Sequence, residues 1–227
     1  MSIILKRTKN IVMDGVKLLA YGVAGVGKTS LIKTLPAPVI LSAEAGLLSL
    51  NSSDIPYIEV RTIQELEEAR RWLTSSAEAA QFQSVALDSI SEIAEVVLAD
   101  EKDKNKDGRK AYGAMQDTMS NLIRSFRDIS GKHVYFSAKV EKTQDEMGAI
   151  LYSPSLPGQK MSQLLPYFFD EVLAMRFLKD KDGVTHRALM TAGDGVWIAK
   201  DRSGKLDYIE QPDLGAIIRK IGGAKNA

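Results

Sequence analysis

The sequence predicts an α/β fold with a mainly parallel sheet flanked by helices. Short apolar runs alternate with helical patterns up to about residue 178, as in chains whose strands are joined by crossover helices. A glycine-rich loop follows the first apolar run directly. After residue 178 the pattern changes to turns and short strands. The 227 residues therefore suit a single domain, 1–227, with a core at about 14–178 and a β-hairpin and terminal helix at about 179–227.

Six segments have the length and composition of buried strands. They lie at 16–21, 39–42, 56–60, 84–88, 133–138 and 170–177. Strands that are apolar on both faces are typical of parallel sheets, because helices cover both sides of such sheets.

Two helices between these strands are predicted from residue spacing. Thr62 and Glu65 have the spacing of a capping box, which opens a helix with Leu66, Ala69 and Leu73 on one side. A longer helix carries apolar residues every three or four positions, which indicates a core-facing stripe. The stripe contains Tyr112, Met115, Met119, Leu122, Phe126 and Ile129.

The C-terminal extension is marked by two glycine-containing turns. KDKDG at 179–183 and GDG at 193–195 are predicted to be hairpin-type turns between short strands. The stretch PDLGAIIRKIGG then predicts one short helix that closes the chain.

The composition excludes several classes of protein. A net charge of +1 restricts any nucleic-acid site to a local patch. The absence of cysteine excludes disulfides and thiolate metal sites, and it suits a reducing cytoplasm. The N-terminus lacks the pattern of a secretory signal, and no run reaches the roughly 18 apolar residues of a membrane span. We therefore expect a soluble, cytoplasmic protein with no membrane partner.

The segment GVAGVGKT at 22–29 fits the phosphate-binding pattern G-x-x-x-x-G-K-[ST]. The glycines permit a turned backbone whose N–H groups face an anion, and the start of the following helix adds partial positive charge. Lys28 can reach the β- and γ-phosphates of a nucleotide, and the Thr29 hydroxyl can bind Mg²⁺. The predicted nucleotide-binding residues are Gly22, Val23, Ala24, Gly25, Val26, Gly27, Lys28, Thr29 and Ser30.

Carboxylates at two strand ends are the candidates for the remaining chemistry. Asp88 ends an apolar strand, which places it at the ligand-binding edge of a parallel sheet and favours a Mg²⁺ role over simple capping of the next helix. The residue that activates the attacking water is either Glu44, after the strand at 39–42, or Glu92, in the first turn of the next helix. Strand-end placement favours Glu44, although both alternatives remain open.

The segments GVAGVGKTS, VILSAEAGLLSL and SVALDSISEI resemble the core motifs of RecA-like ATPases. Further stretches, including KHVYFSAK, LYSPSLPGQK and AKDRSGKLD, resemble RecA-like phage ATPases implicated in single-strand annealing. The resemblance covers nearly the whole chain. It implies a RecA-type P-loop NTPase core, ATP hydrolysis with Mg²⁺, and Glu44 and Asp88 as catalytic residues beside Lys28. It also implies single-stranded DNA as partner, and the cytoplasm of a bacterial host if the chain is phage-encoded.

The same resemblance assigns residues outside the glycine loop. It places Lys139 where related ATPases have a γ-phosphate sensor, although this chain lacks their amide side chain there; an ordinary solvated lysine is the alternative. Lys200 and Arg202 match a lysine–polar–arginine motif whose cations reach the ATP site of a neighbouring subunit, which implies a homo-oligomeric ring or filament. The alternative is a basic turn before the last helix.

Two segments are the candidates for DNA contact. One is 139–165, expected to be a long loop, with Lys142 and Lys160 as cations and Tyr152 as a base-stacking residue. The other is 101–112, which contributes Lys106, Arg109 and Lys110, although mixed charge of this kind is usually a solvated surface. A single-strand-binding protein is a further possible partner.

Two other functions fit the glycine loop alone. A nucleotide kinase would close an arginine-rich lid over two substrates, but the arginines of this chain are scattered. A GTP-switch module would need N-K-x-D and D-x-x-G motifs, and neither stands at the required place. We rank the DNA-dependent ATPase first, the kinase second and the GTP switch third.

Overall fold

A computed structural model describes residues 14–44, 46–144 and 147–222; the N-terminal segment used to exclude a secretory signal lies mostly outside them. The strands are β1 (Lys17–Tyr21), β2 (Pro38–Ser42), β3 (Tyr57–Glu59), β4 (Ser84–Asp88), β5 (His133–Gln144), β6 (Ile150–Ser155), β7 (Glu171–Lys179), β8 (Thr185–Met190), β9 (Lys200–Asp201) and β10 (Ile209–Glu210). The α-helices are α1 (Ile63–Ser75), α2 (Ile90–Lys104), α3 (Gly108–Arg127), α4 (Gln159–Leu164) and α5 (Leu214–Gly222). Shorter 3-10 helices occupy Thr29–Thr34, Leu47–Leu50, Glu78–Gln81 and Leu165–Phe168.

The strands form one sheet in the order β10-β8-β7-β1-β5-β4-β2-β3. From β7 to β3 all neighbours are parallel, whereas β8 and β10 continue the sheet antiparallel at one edge. The six predicted strands correspond to β1–β5 and β7. The predicted α/β class, with a mainly parallel sheet and a C-terminal hairpin, is therefore confirmed.

Apolar side chains cover both faces of this sheet, because successive strand residues point to opposite sides. On one face, residues such as Leu19 and Phe136 pack with α1, α2 and α3. On the other face, residues such as Leu18 and Tyr135 pack with α5 and with the 3-10 helix that follows the glycine loop. The loop is thus supported from below by a buried core.

The capping box at the start of α1 is confirmed. The Glu65 N–H donates to the Thr62 hydroxyl oxygen at 3.2 Å, and the Thr62 N–H donates to the Glu65 carboxylate at 3.0 Å. Leu66, Ala69 and Leu73 are buried on one side of the helix, as predicted.

The predicted stripe on α3 is correct in its middle and wrong at both ends. Met115, Met119 and the following apolar residues to Phe126 are buried. Tyr112 is exposed, with the Lys102 ammonium 5.6 Å from the centre of its ring. Ile129 is buried but lies beyond the end of the helix at Arg127.

The expectation of a long loop over 139–165 is wrong. Strand β5 continues past the end of β1, and Lys139–Gln144 pair antiparallel with Ile150–Ser155 of β6. The short helix α4 follows. Pairing satisfies the backbone groups that an irregular loop of this length would leave to solvent.

In the C-terminal extension, the turn at 179–183 joins β7 and β8 as predicted, and its tip is held by N–H groups that donate to the Asp180 carboxylate. The turn at 193–195 differs from its prediction, because β8 ends at Met190 and the chain next bridges to Tyr152 through Trp197. The closing helix is α5.

Candidate nucleotide-binding site

The glycine loop connects β1 to the following 3-10 helix in a conformation that depends on its glycines. Gly25 and Gly27 have φ angles of +75° and +110°, in the left-handed region that side chains disfavour. A Cβ atom on Gly22 would lie 2.5 Å from the Met175 carbonyl oxygen of β7. The pattern G-x-x-x-x-G-K-[ST] is therefore required by backbone shape and by the close approach of β7.

The helix after the loop differs from the prediction. It is a 3-10 helix of six residues, Thr29–Thr34, without an acidic residue in its first turn. Because so short a helix adds little macrodipole, the positive potential for a phosphate comes from the N–H groups of the loop and from the Lys28 ammonium. The Tyr135 hydroxyl fixes its start by donating to the Lys28 carbonyl oxygen at 2.9 Å.

The Lys28 ammonium lies over the loop. It donates to the carbonyl oxygens of Gly22 and Val23 at 2.9 and 3.1 Å. Partial burial lowers the pKa of Lys28, while the nearby Asp88 and Glu44 carboxylates act in the opposite direction. Lys28 thus lies near two carboxylates, an arrangement that suits the binding of phosphate together with a metal.

Asp88 is only 3% exposed and is held by two hydroxyl groups. The Thr29 hydroxyl donates to one carboxylate oxygen at 2.7 Å, and the Ser137 hydroxyl donates to the other. The peptide bond that follows Asp88 is cis. A hydroxyl and a carboxylate in contact are hard oxygen donors of the kind that Mg²⁺ takes from a protein, with phosphate and water filling its other positions. The predicted Mg²⁺ residues therefore fit the metal. Among the described residues no three His, Cys, Asp or Glu side chains are grouped so that they could hold a metal ion.

The two candidate glutamates differ in their surroundings. Glu44 lines the pocket and accepts a hydrogen bond from the Ser89 hydroxyl, next to Asp88. Glu92 lies outside the pocket wall and forms an ion pair with Lys139, which raises the pKa of the Lys139 ammonium. The geometry therefore favours Glu44 as the residue that activates water.

A pocket of about 590 Å³ joins these groups. Its wall includes Gly22, Ala24, Gly25, Gly27, Lys28, Thr29, Ser30, Glu44, Asp88, Ser89, Ser137, Lys139 and Arg187. Most predicted nucleotide-binding residues are thus brought together. The two valines are not part of the pocket wall: Val26 is buried in the core below the loop, and Val23 is exposed.

Two residues of this wall have roles that the sequence did not assign. Ser137 precedes the candidate sensor Lys139 by two positions on β5, and its hydroxyl donates to the Asp88 carboxylate. Arg187 was counted among the scattered arginines, yet it lies beside Gly27. The signal for Arg187 is weak but present: it lies two positions before the apolar Leu189 and so shares its face of the strand.

Lys200 and Arg202 lie far from this pocket. They stand on and just after β9, which pairs with the first residues of β7. The Lys200 ammonium donates to the carbonyl oxygens of Pro166 and Phe169 at 2.7 and 2.6 Å, and Arg202 forms a 2.8 Å ion pair with Asp170. Their assignment to a neighbouring site stays a prediction.

The DNA candidates also lie outside the pocket. Lys142 is exposed on the β5–β6 hairpin, opposite Tyr152, whose ring stacks on Trp197 at a centroid distance of 4.4 Å. Trp197 thus already covers one face of the predicted stacking residue. Lys160 is exposed on α4.

The second DNA candidate segment lies close to the first. Lys106 is exposed just before α3, and Arg109 and Lys110 are exposed in its first turn. Gly158, just before α4, approaches Tyr112 and Gln116 of α3, with 3.5 Å between its Cβ position and the Tyr112 ring. Arg109 is on the same helical face as these two residues, because positions three and four apart share a face.

Comparisons with known proteins bear on the whole chain. A family model described as "AAA domain" (AAA_24) matches residues 14–203. No curated protein sequence matches the chain. Among similar solved structures is a KaiC-like protein from the hyperthermophilic archaeon Pyrococcus horikoshii OT3, with 13% sequence identity and a TM-score of 0.44 over 78% of this chain and 79% of that one. No helix among the described residues is long and apolar enough to cross a membrane.

Proposed function

The chain belongs to the AAA domain family, whose model spans residues 14–203, and we propose that it hydrolyses ATP. From the resemblance to phage annealing ATPases we further propose that it uses the turnover in pairing or annealing single-stranded DNA. The chain is an AAA-type P-loop ATPase domain with a RecA-type core. In that core, β5 separates the strand that leads into the glycine loop from the strand that ends in Asp88. ATP as the substrate, single-stranded DNA as the partner and assembly into a homo-oligomer are what we propose.

The observation that carries ATP hydrolysis is the grouping of Lys28, Thr29, Asp88 and Glu44 around one pocket. Water attacks the γ-phosphorus, the bond from that phosphorus to the bridging oxygen breaks, and ADP and phosphate leave. Glu44 takes the proton of the attacking water, and Lys28 stabilises charge on the γ-phosphoryl group. Thr29 and Asp88 would hold Mg²⁺, which would supply further neutralisation of the triphosphate charge.

The support for single-stranded DNA comes from the family resemblance and from two neighbouring basic segments. Lys160 follows the Gly158 turn, which packs against the start of α3, and Arg109 lies on that face of α3. Such a surface suits contact with the phosphate backbone, which is independent of sequence. Lys142 and Tyr152 on the β5–β6 hairpin are the second proposed contact.

Strand β5 offers a direct connection between the two activities. Ser137, which bonds to Asp88, and Lys139, which lines the pocket, precede Lys142 on the same strand. A shift of β5 on phosphate release would therefore move the hairpin. We propose Lys139 as the sensor of that change, released from Glu92 when the γ-phosphate is bound.

Homo-oligomer formation is proposed from the position of Arg202. Its partner Asp170 precedes β7, and Met175, which contacts the glycine loop, lies five residues further along the strand. At about 3.3 Å per residue this separation is roughly 17 Å, beyond the reach of one arginine side chain. Since Arg202 does not reach its own pocket, the motif that it shares with Lys200 leads us to propose that both cations act on the ATP site of a neighbouring subunit, in a ring or a filament.

The remaining parts of the proposal rest on the resemblance and the composition. We infer a phage-encoded protein of the bacterial host cytoplasm, where a chain without cysteine is at no disadvantage. A single-strand-binding protein is the proposed protein partner, since annealing begins on strands that such proteins cover.

The decisive experiment measures ATP hydrolysis with and without single-stranded DNA over a range of protein concentrations. We expect stimulation by DNA and a concentration threshold set by assembly. The Lys28→Ala variant gives the background rate. Turnover that needs a small phosphate acceptor would instead support a nucleotide kinase, and slow turnover with a preference for GTP would support a switch protein.

A further inference from the structure

We propose that Arg187 binds the nucleotide within its own subunit, through the phosphate nearest the nucleoside. The inference rests on the proposed binding of ATP and names a residue of that site. Arg187 would thus be a third cation of the pocket wall, separate in position and in role from Lys28 and Lys139.

The position of Arg187 follows from the pairing of β7 and β8. Tyr21, the last residue of β1, pairs with Ala174, so β7 continues beyond β1 alongside the glycine loop. On β8, Arg187 pairs with Phe177 of β7. Both residues lie beyond the end of β1, on the face that carries Met175 and Leu189, because side chains alternate along a strand.

The side chain of Arg187 rests directly on the loop. Its Nε and Cδ atoms are 3.3 and 3.4 Å from the Cβ position of Gly27, and Met175 Cε is 3.1 Å from the same point. Its Cζ atom is 5.7 Å from the centre of the Phe177 ring, which supports the guanidinium from the other side. Glycine at position 27 thus leaves room for the arginine as well as for the turned backbone.

The charge of Arg187 has no carboxylate partner within 4.0 Å among the residues that the structure describes, whereas Arg176 and Arg202 each have one. A guanidinium that lines a pocket without such a partner is suited to an anion. Its planar donors bind phosphate oxygens in a fixed geometry, which a lysine would not supply.

The position of Arg187 on β8 also indicates which phosphate of the nucleotide it would contact. Thr29, Asp88 and Glu44 mark the metal and the γ-phosphate end of the site, on the side of β4. Strand β8 lies on the other side of β1 in the sheet order. A nucleotide that places its β- and γ-phosphates at the metal therefore presents its α-phosphate to Arg187.

The test is equilibrium titration of the full chain with Mg²⁺–ATP and Mg²⁺–ADP, comparing wild type, Arg187→Gln and Arg187→Lys. AMP is titrated as well, because it carries the α-phosphate without the β-phosphate. We expect Arg187→Gln to weaken the binding of ATP, ADP and AMP by the same factor, about tenfold to a hundredfold, as for loss of a charge-assisted hydrogen bond. A loss that spares AMP would place Arg187 at the β-phosphate and overturn the assignment. If the wild type binds GDP, the affinity for GDP should fall by the same factor. Arg187→Lys should recover part of the lost affinity. Arg219→Gln, at an exposed arginine of α5 outside the pocket, is the matched control and should bind as wild type.

The outcomes separate this inference from the proposed function. Wild type that binds neither nucleotide removes the ATPase proposal and the inference with it. Wild type that binds while Arg187→Gln retains full affinity overturns the inference alone. A loss confined to ATP would place Arg187 at the γ-phosphate, and a loss confined to adenine nucleotides would place it at the base; either result overturns the assignment to the α-phosphate.

Discussion

The Thr29 hydroxyl donates a 2.7 Å hydrogen bond to the Asp88 carboxylate and so joins the glycine loop to a strand end 59 residues away in the chain. The Ser137 hydroxyl holds the other oxygen of the same carboxylate. The two residues proposed to hold the metal are therefore already in contact with each other. A site that is built in advance in this way needs little structural rearrangement during catalysis.

Lys28→Ala should abolish ATP hydrolysis, with at least a hundredfold loss of kcat, because its ammonium is the flexible charge that reaches the transferred phosphoryl group. A steady-state assay of phosphate release measures this. The matched control is Lys33→Ala, at an exposed lysine of the same 3-10 helix, which should keep the wild-type rate. Unchanged turnover in Lys28→Ala would contradict the site.

Glu44→Gln should reduce kcat by about a hundredfold while ATP still binds, because the amide keeps the size of the side chain but does not accept a proton. Glu92→Gln should change kcat only a few-fold, since Glu92 pairs with Lys139 outside the pocket wall. Single-turnover hydrolysis together with equilibrium binding separates chemistry from affinity. The reverse ranking of the two variants would transfer the role of base to Glu92.

The parts of the fold that the sequence predicted depend on local physics. The capping box is predicted from Thr62 and Glu65, which lie three positions apart. The strands are predicted from short apolar runs, each of which is recognisable from its own residues. The glycine loop and Asp88 were identifiable because backbone freedom and strand-end position can be inferred from neighbouring residues.

What the sequence could not supply depends on contacts between distant segments. Arg187 reaches Gly27 only because β7 pairs with β1, and no local pattern encodes that pairing. The choice between Glu44 and Glu92 was open for the same reason, because it rests on the ion pair between Glu92 and Lys139, 47 residues apart. The hairpin at 139–155 is not predicted by the sequence, because its first strand is a continuation of β5 beyond the predicted strand end.

Arg202→Ala should lose hydrolysis when assayed alone and regain it when mixed with Lys28→Ala. In mixed assemblies an intact pocket of the first variant meets an intact arginine of the second, at about a quarter of the sites for random head-to-tail assembly of equal amounts. ATP turnover of the mixture, against each variant alone, is the measurement. A rate unaffected by Arg202→Ala would remove the trans role, and loss without regain on mixing would point to a structural role of the ion pair with Asp170.

Arg109→Gln and Lys160→Gln should each weaken binding of single-stranded DNA and lower the slope of log Kd against log salt by about 0.7, because each removes one phosphate contact. The effect should be the same for unrelated DNA sequences. Fluorescence titrations with labelled oligonucleotides at several salt concentrations measure both quantities. Lys181→Gln, in the exposed turn between β7 and β8, is the control, and an equal slope change there would show that the effect is not local.

Glu171→Gln should stabilise the protein above neutral pH. Glu171 is 1% exposed, and its Oε2 atom has no hydrogen-bond partner among the described residues. Burial, with the nearby Asp201 carboxylate, raises the pKa of Glu171 to about 8 from an ordinary value of 4.5. The negative charge of Asp170 also raises the pKa of Glu171, because it repels an ionised Glu171 carboxylate. The folded protein therefore retains a proton that the unfolded chain has already released.

The sign of the pH dependence follows from that difference. Between pH 4.5 and about pH 8 the folded state binds the extra proton, so the free energy of unfolding falls as pH rises, by on the order of 1 kcal/mol per pH unit. Below and above this window the contribution of Glu171 is constant. Urea unfolding at pH 5, 6.5 and 8 should show this slope in wild type and a flatter one in Glu171→Gln, with the gain of the variant largest at pH 8. Equal slopes in the two proteins would show that Glu171 is ionised in the folded state, and that a cation such as Lys200 or Arg202 compensates its charge.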